Sequence, residues 1–147
     1  MRIIAGTARS MPLKTIEGKD TRPTTDRIKE TLFNILQMDV PGSVFLDLFA
    51  GSGGIGLEAV SRGAAAADVV EMNRRGADAI RETVKKLKAH EVSVYAEDVF
   101  VFLAQTARTY DLVFIDPPFA AELQAKALRA VKARLASGLS TYTYAPE

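Results

Sequence analysis

The stretch that most constrains this chain begins at residue 44, where VFLDL runs straight into FAGSGGIG, with Gly51, Gly53 and Gly56 spaced as G-x-G-x-x-G. A short run of apolar residues with one polar interruption reads as a strand buried on both faces, and such strands belong to parallel sheets covered by helices. The glycines then mark a tight turn from strand into helix. The pattern repeats along the chain. Segments 68–71 and 92–96 and the apolar run 112–115 read as further strands, with a fifth expected at 139–144. Helical periods fall between them at 55–62, at 74–89 with Ala77, Ile80, Val84 and Leu87 on one face, at 99–107 and at 121–135. Strands alternating with helices imply right-handed crossovers. The fold class expected is α/β, a doubly wound, Rossmann-like parallel sheet, which binds ligands at the carboxyl ends of its strands.

Ahead of this unit, residues 1–5 and 11–16 flank GTARS and read as a β-hairpin, with Pro12 confining the second arm to an edge. Beyond Pro23, the residues Thr24, Thr25 and Asp26 offer capping chemistry for a helix with Ile28, Leu32, Ile35 and Leu36 as its apolar face, ending near Pro41 and Gly42. With 147 residues the reading is a single domain, 1–147, whose residues 1–22 form a basic hairpin extension. Net charge is only +1, but residues 1–30 carry seven basic side chains against four acidic, a local +3.

Composition removes several chemistries. The absence of cysteine excludes disulfides, thiolate metal sites and cysteine nucleophiles, and a single histidine, His90, supplies no His-rich metal site. No metal is expected. The start, MRIIAGTARS, lacks the apolar core of a signal peptide, and no run approaches a membrane span, so the reading is a cytoplasmic protein.

Glu71, twenty residues past Gly51 at the end of the second strand, has the separation expected of a carboxylate that takes both ribose hydroxyls. These features fit NAD and S-adenosylmethionine alike. Asp47, inside the strand before the loop, favours a ligand with an ammonium or sulfonium end, since a pyrophosphate would be repelled there. Glu97 and Asp98 follow the third strand, where a carboxylate can accept an adenine amino group; Asp98 can equally cap the helix that begins at Val99. After the fourth strand comes Asp116-Pro117-Pro118-Phe119. Two prolines remove two donors and leave an acceptor-only surface. Such a surface suits an amino group conjugated to an aromatic ring. Bonds from both amino hydrogens, to the Asp116 carboxylate and the Pro117 carbonyl, would turn a delocalised lone pair into an aimed one. Phe119 offers a face on which a base can stack, typically worth ~1–3 kcal/mol.

The segments LDLFAGSGGIGLEAVSRGA, the acid in VVEMN, and DLVFIDPPF resemble the S-adenosylmethionine-dependent amino-methyltransferases with a (D/N)-P-P-(F/Y) motif. MRIIAGTARSMPL with TRPTTDRIKETLFNIL is more specific and resembles the bacterial small-subunit (16S) ribosomal RNA guanine-N2 methyltransferases. The resemblance implies a class I methyltransferase fold and cofactor contacts from Asp47, Gly51, Ser52, Gly53, Gly56, Glu71 and Asp98. It implies a cradle for the target amine at Asp116, Pro117, Pro118 and Phe119, and substrate RNA contacts at Arg9, Arg22, Thr24 and Arg27. It further implies a monomer whose partner is ribosomal RNA or a partly assembled small subunit. Family members continue past the fifth strand into a helix and an antiparallel pair, so C-terminal strands are expected to be missing here, and Thr83 stands where relatives often carry Asn. The nearest competing reading is a DNA adenine-N6 methyltransferase. An NAD-dependent oxidoreductase and a non-catalytic RNA-binding module are further alternatives, the first favoured only by the bare glycine pattern and the second opposed by an intact DPPF.

Overall fold

A computed structural model describes residues 3, 5–7, 26–117 and 120–135. The 1–22 hairpin as a whole, Arg9, Arg22, Thr24, Pro118, Phe119 and the 139–144 strand lie outside the described residues. Within them, helix α1 (Asp26–Leu36) precedes a regular alternation: β1 (Val44–Leu48), α2 (Gly54–Ser61), β2 (Ala66–Val70), α3 (Arg74–Leu87), β3 (Val92–Tyr95), α4 (Val99–Gln105), β4 (Leu112–Ile115) and α5 (Ala120–Val131). A short 3-10 turn, Lys132–Arg134, closes the described chain. No helix among the described residues is long and apolar enough to cross a membrane.

The four strands form one sheet in the order β3-β2-β1-β4, and every pairing is parallel. Because side chains alternate across a strand, the sheet has two buried faces. Phe45, Ala67, Val69 and Val92 pack with Phe33 and Leu36 of α1, Ile55 and Leu57 of α2, and Ile80 of α3. Leu46, Leu48 and Val70 pack with Val99, Phe102 and Leu103 of α4 and Val131 of α5. The chain changes faces after β3, so β1 and β4 are neighbours reached by connections on opposite sides. That is the switch point at which doubly wound sheets open a crevice.

Several expectations need correcting in detail. The apolar face expected on α1 holds at Leu36, which is buried, and at Leu32, which packs against the core, but Ile35 is 53% exposed and Lys29 and Phe33 are buried instead. Phe33 is drawn inward by the ring of Phe45, 6.2 Å away. Lys29 is drawn inward by Glu58 of α2, whose Oε1 lies 3.2 Å from Nζ with both side chains fully buried. Burial pushes the Lys29 ammonium below its usual range, and the Glu58 charge opposes that shift. Strand β2 starts at Ala66, earlier than the expected 68, because two alanines give little strand signal yet pair with Val44 and Phe45. Asp68, buried in β2, is satisfied by the Tyr110 hydroxyl (2.6 Å) and Arg108 Nη1 (3.0 Å). Burial, with Asp68 adding to it, holds the Tyr110 phenol well above its ordinary pKa.

Candidate cofactor and amine site

The turn between β1 and α2 takes an unusual path. Phe49, Gly51 and Gly53 all have positive φ, at 56°, 60° and 76°. For Phe49 this is backbone strain of a kind that clusters at functional sites. At Gly53, which caps α2, a Cβ would lie 2.9 Å from Ile80 Cγ2, so only glycine lets α3 pack against the turn. A Cβ on Gly51 would meet nothing within 4 Å, so the loop faces open space at that point. Gly56 brings α2 down onto the sheet, where a Cβ would come within 2.6 Å of Val69. The hydroxyl oxygen of Ser52 accepts from Gly54 N–H at 3.3 Å.

Three carboxylates hold or face this turn. Glu71, at the end of β2, accepts the Gly51 N–H at Oε1 and the Asn73 N–H at Oε2, both at 2.8 Å. Each oxygen of a carboxylate can accept a second bond, so the acid that fixes the loop keeps capacity for hydroxyl groups of a ligand. Asp47, in β1 and 1% exposed, accepts the Gly56 N–H at 3.0 Å, which ties the start of α2 to the central strand. Its carboxyl is pushed well above the usual range by burial; the Gly56 bond opposes the shift, and the charges of Glu71 and Asp116 add to it. Asp116 leaves the sheet beside the glycine turn. The pairing of Leu48 with Ile115 explains why: β1 and β4 end level, so Phe49 and Asp116 leave the sheet side by side. Asp116 is half-buried and Pro117 buried.

The remaining sequence-derived positions divide. Asp98 caps α4, its Oδ1 accepting from Phe100 N–H (2.8 Å) and Val101 N–H (3.2 Å), so the capping role holds. Arg27 is exposed on the first turn of α1. A cavity of about 560 Å³ lies at the carboxyl ends of β2 and β3, lined by Met72, Arg74, Arg81, Val94, Tyr95, Ala96 and Glu97. None of the glycine turn lines it, although Met72 and Glu97 adjoin Glu71 and Asp98 in sequence. Met72, which the sequence patterns did not single out, is 69% exposed at the rim of that cavity. Asn73 caps α3, its side chain accepting from Gly76 N–H at 3.0 Å, and its own N–H is Glu71's second partner; the sequence patterns singled out neither role. Among the described residues, no group of His, Cys, Asp and Glu could hold a metal ion.

Sheet order, the crossover at β1 and β4 and the glycine turn make this a Rossmann-like fold, and the methyltransferase structures it superposes on make it the class I methyltransferase type. A precorrin-6y C5,15-methyltransferase from Geobacter metallireducens shares that fold at a TM-score of 0.69 and 23% identity, covering 85% of this chain and 64% of that one. Residues 1–141 match the family described as Conserved hypothetical protein 95, and the chain belongs to that family. It is 43% identical over 119 residues to Ribosomal RNA small subunit methyltransferase D of Escherichia coli K12, covering 81% of this chain and 60% of the relative. The solved structure of a hypothetical protein from Thermus thermophilus superposes at a TM-score of 0.81 with 33% identity, covering 94% of this chain and 81% of that structure. The chain therefore spans about 60% of the length of the Escherichia coli relative.

Proposed function

We propose that this chain transfers a methyl group from S-adenosylmethionine to the exocyclic N2 of a guanine in 16S ribosomal RNA. The observation that carries the reading is the level ending of β1 and β4, which puts the open glycine turn and the Asp116–Pro117 corner at one edge of the sheet. The residues fit the cofactor. Gly51 leaves open the space above its backbone, where a side chain would intrude on a ligand. Glu71 has acceptor capacity for ribose hydroxyls, and the carboxyl groups of Glu71 and Asp116 at this edge of the sheet suit a cationic ligand. When bound, S-adenosylmethionine supplies an electrophilic methyl carbon.

The protein's own contribution is to hold a nucleophile in place. The Asp116 carboxylate and the Pro117 carbonyl accept the two amino hydrogens, drawing the nitrogen lone pair out of conjugation with the purine and fixing its direction. Asp116 acts as an acceptor, not as a strong base. Phe119 adds a stacking surface for the base. The base must leave its stack to be reached, so the RNA is unpaired or flipped locally. Arg9, Arg22, Thr24 and Arg27 contact the RNA, with guanidinium groups suited to phosphate. The relative named as a small-subunit ribosomal RNA methyltransferase supports RNA as the substrate class.

The test is transfer of a tritiated methyl group to deproteinised 16S RNA, to partly assembled small subunits and to duplex DNA, followed by mass mapping of the product nucleoside. N2-methylguanosine in the RNA is the expected result. N6-methyladenine in DNA would replace this reading with the adenine one, and RNA binding with no transfer would favour a binding module.

A further inference from the structure

The buried pair between α1 and α2 lies outside the site described above, and it gathers more than two side chains. Glu58 Oε1 meets Lys29 Nζ at 3.2 Å, while Oε2 accepts Arg62 Nε at 2.8 Å and the backbone N–H of Ala5 at 3.0 Å. Next to it, the Ser61 hydroxyl donates to the Ala5 carbonyl (2.6 Å) and the Thr7 N–H donates to the Ser61 carbonyl (3.0 Å). Gly6 makes this docking possible: its φ is +88°, and a Cβ there would stand 1.7 Å from the Ser61 carbonyl oxygen. Ile3, in the same segment, is fully buried in the α1–α2 side of the core. A single carboxylate thus binds residue 5 through one oxygen and residue 29 through the other. Between those positions run the residues that carry Arg9, Arg22 and Thr24.

We infer that Glu58 is a positioning residue that staples both flanks of the basic 8–25 stretch to α2, one helical turn beyond Gly54. This rests on the reading of that stretch as the RNA-contacting part of the chain. A purely apolar contact would hold α1 on α2 equally well, because well-packed hydrophobic residues replace buried ion pairs without loss of stability. It would not fix a backbone N–H or set the register of two flanks against one point, which directional, charge-assisted bonds do. The consequence falls on RNA affinity and leaves the cofactor turn, held separately by Asp47 and Glu71, unchanged.

Two variants disconnect the staple from different sides. Gly6→Ala blocks docking of the first flank without touching a charge. The double replacement Lys29→Met with Glu58→Gln removes the ion pair without leaving either charge buried alone. For both, KM for RNA is expected to rise about tenfold or more, with the Kd for S-adenosylhomocysteine within twofold of the parent. In Gly6→Ala the amides of Ala5 and Thr7 should exchange hydrogen at least tenfold faster, while those of α3 keep their protection. Parent-like KM for RNA in a Gly6→Ala protein that shows the faster exchange would overturn the inference, as would equal weakening of RNA and S-adenosylhomocysteine. If the parent methylates no RNA, the functional reading fails by itself, and the exchange data still decide the staple: unchanged protection at Ala5 and Thr7 in Gly6→Ala would refute it.

Discussion

Replacing Gly51 with alanine separates the conformation of the glycine turn from the space above it. At φ +60° an L-residue pays the left-handed penalty, roughly 1–2 kcal/mol, and since a Cβ there meets nothing within 4 Å, no packing cost is added. Gly53→Ala incurs the same penalty at φ +76° and drives a Cβ to 2.9 Å and 3.1 Å from the two γ carbons of Ile80, itself buried. Overpacking of that kind costs about 1–3 kcal/mol, for a total of roughly 2–5 kcal/mol. Urea unfolding without ligand should therefore rank Gly53→Ala clearly below Gly51→Ala. Calorimetric titration with S-adenosylhomocysteine should rank Gly51→Ala well below the parent protein. Its methyl enters the open space assigned to the cofactor, and a tenfold loss of affinity corresponds to about 1.4 kcal/mol. At a ligand concentration a hundred times the parent Kd, the parent gains about 2.7 kcal/mol of stability, and Gly51→Ala should gain visibly less. Parent-like binding by Gly51→Ala would refute the assignment of that opening to the cofactor. Equal stability losses in the two variants would refute the steric reasoning.

Asp47→Asn tests the buried carboxyl. Its folded pKa lies above the unfolded value, so its contribution to stability is present below the unfolded pKa, about 3.9, and is lost as pH rises through the folded one. The variant should therefore gain on the parent between pH 4 and pH 8 in urea unfolding, while S-adenosylhomocysteine binds more weakly; a variant that falls further behind as pH rises contradicts the assignment. Asp116→Asn should keep measurable methyl transfer and Asp116→Ala should lose on the order of a hundredfold or more, because an acceptor oxygen is what the amine needs; equal losses in turnover assays would point to a required base. Tyr110→Phe removes the donor 2.6 Å from buried Asp68 and should cost about 1–3 kcal/mol with no change in S-adenosylhomocysteine affinity, read by thermal unfolding and titration. A neutral result would mean that Arg108 alone satisfies that carboxylate.

Legibility in the sequence followed physical cause. The run from Val44 to Gly56 and the acid at Glu71 were readable because a doubly covered strand, a glycine turn and a carboxylate twenty residues on have few other uses together. Strand β4 was placed at its observed bounds, Leu112–Ile115, since its apolar run stops at Asp116. The burial of Lys29 in α1 was not readable. Helical periodicity assigns a lysine to solvent, and only the three-dimensional neighbour Glu58, itself a polar residue on an apolar helix, reverses that for Lys29. Sequence position made Asp98 legible as the cap of α4, but spacing could not show that Asp47 gives a carboxylate oxygen to Gly56, because a motif names a position and leaves open which of its lone pairs are already used.

If the glycine turn and the Asp116 corner serve one ligand pair, a crystal structure with S-adenosylhomocysteine bound will show it. The expected result is ribose hydroxyls on Glu71, the ligand backbone over Gly51, and the sulfur facing the Asp116 carboxylate across a gap sized for a methyl group. A ligand seated elsewhere, or a sulfur turned away from Asp116, would contradict it.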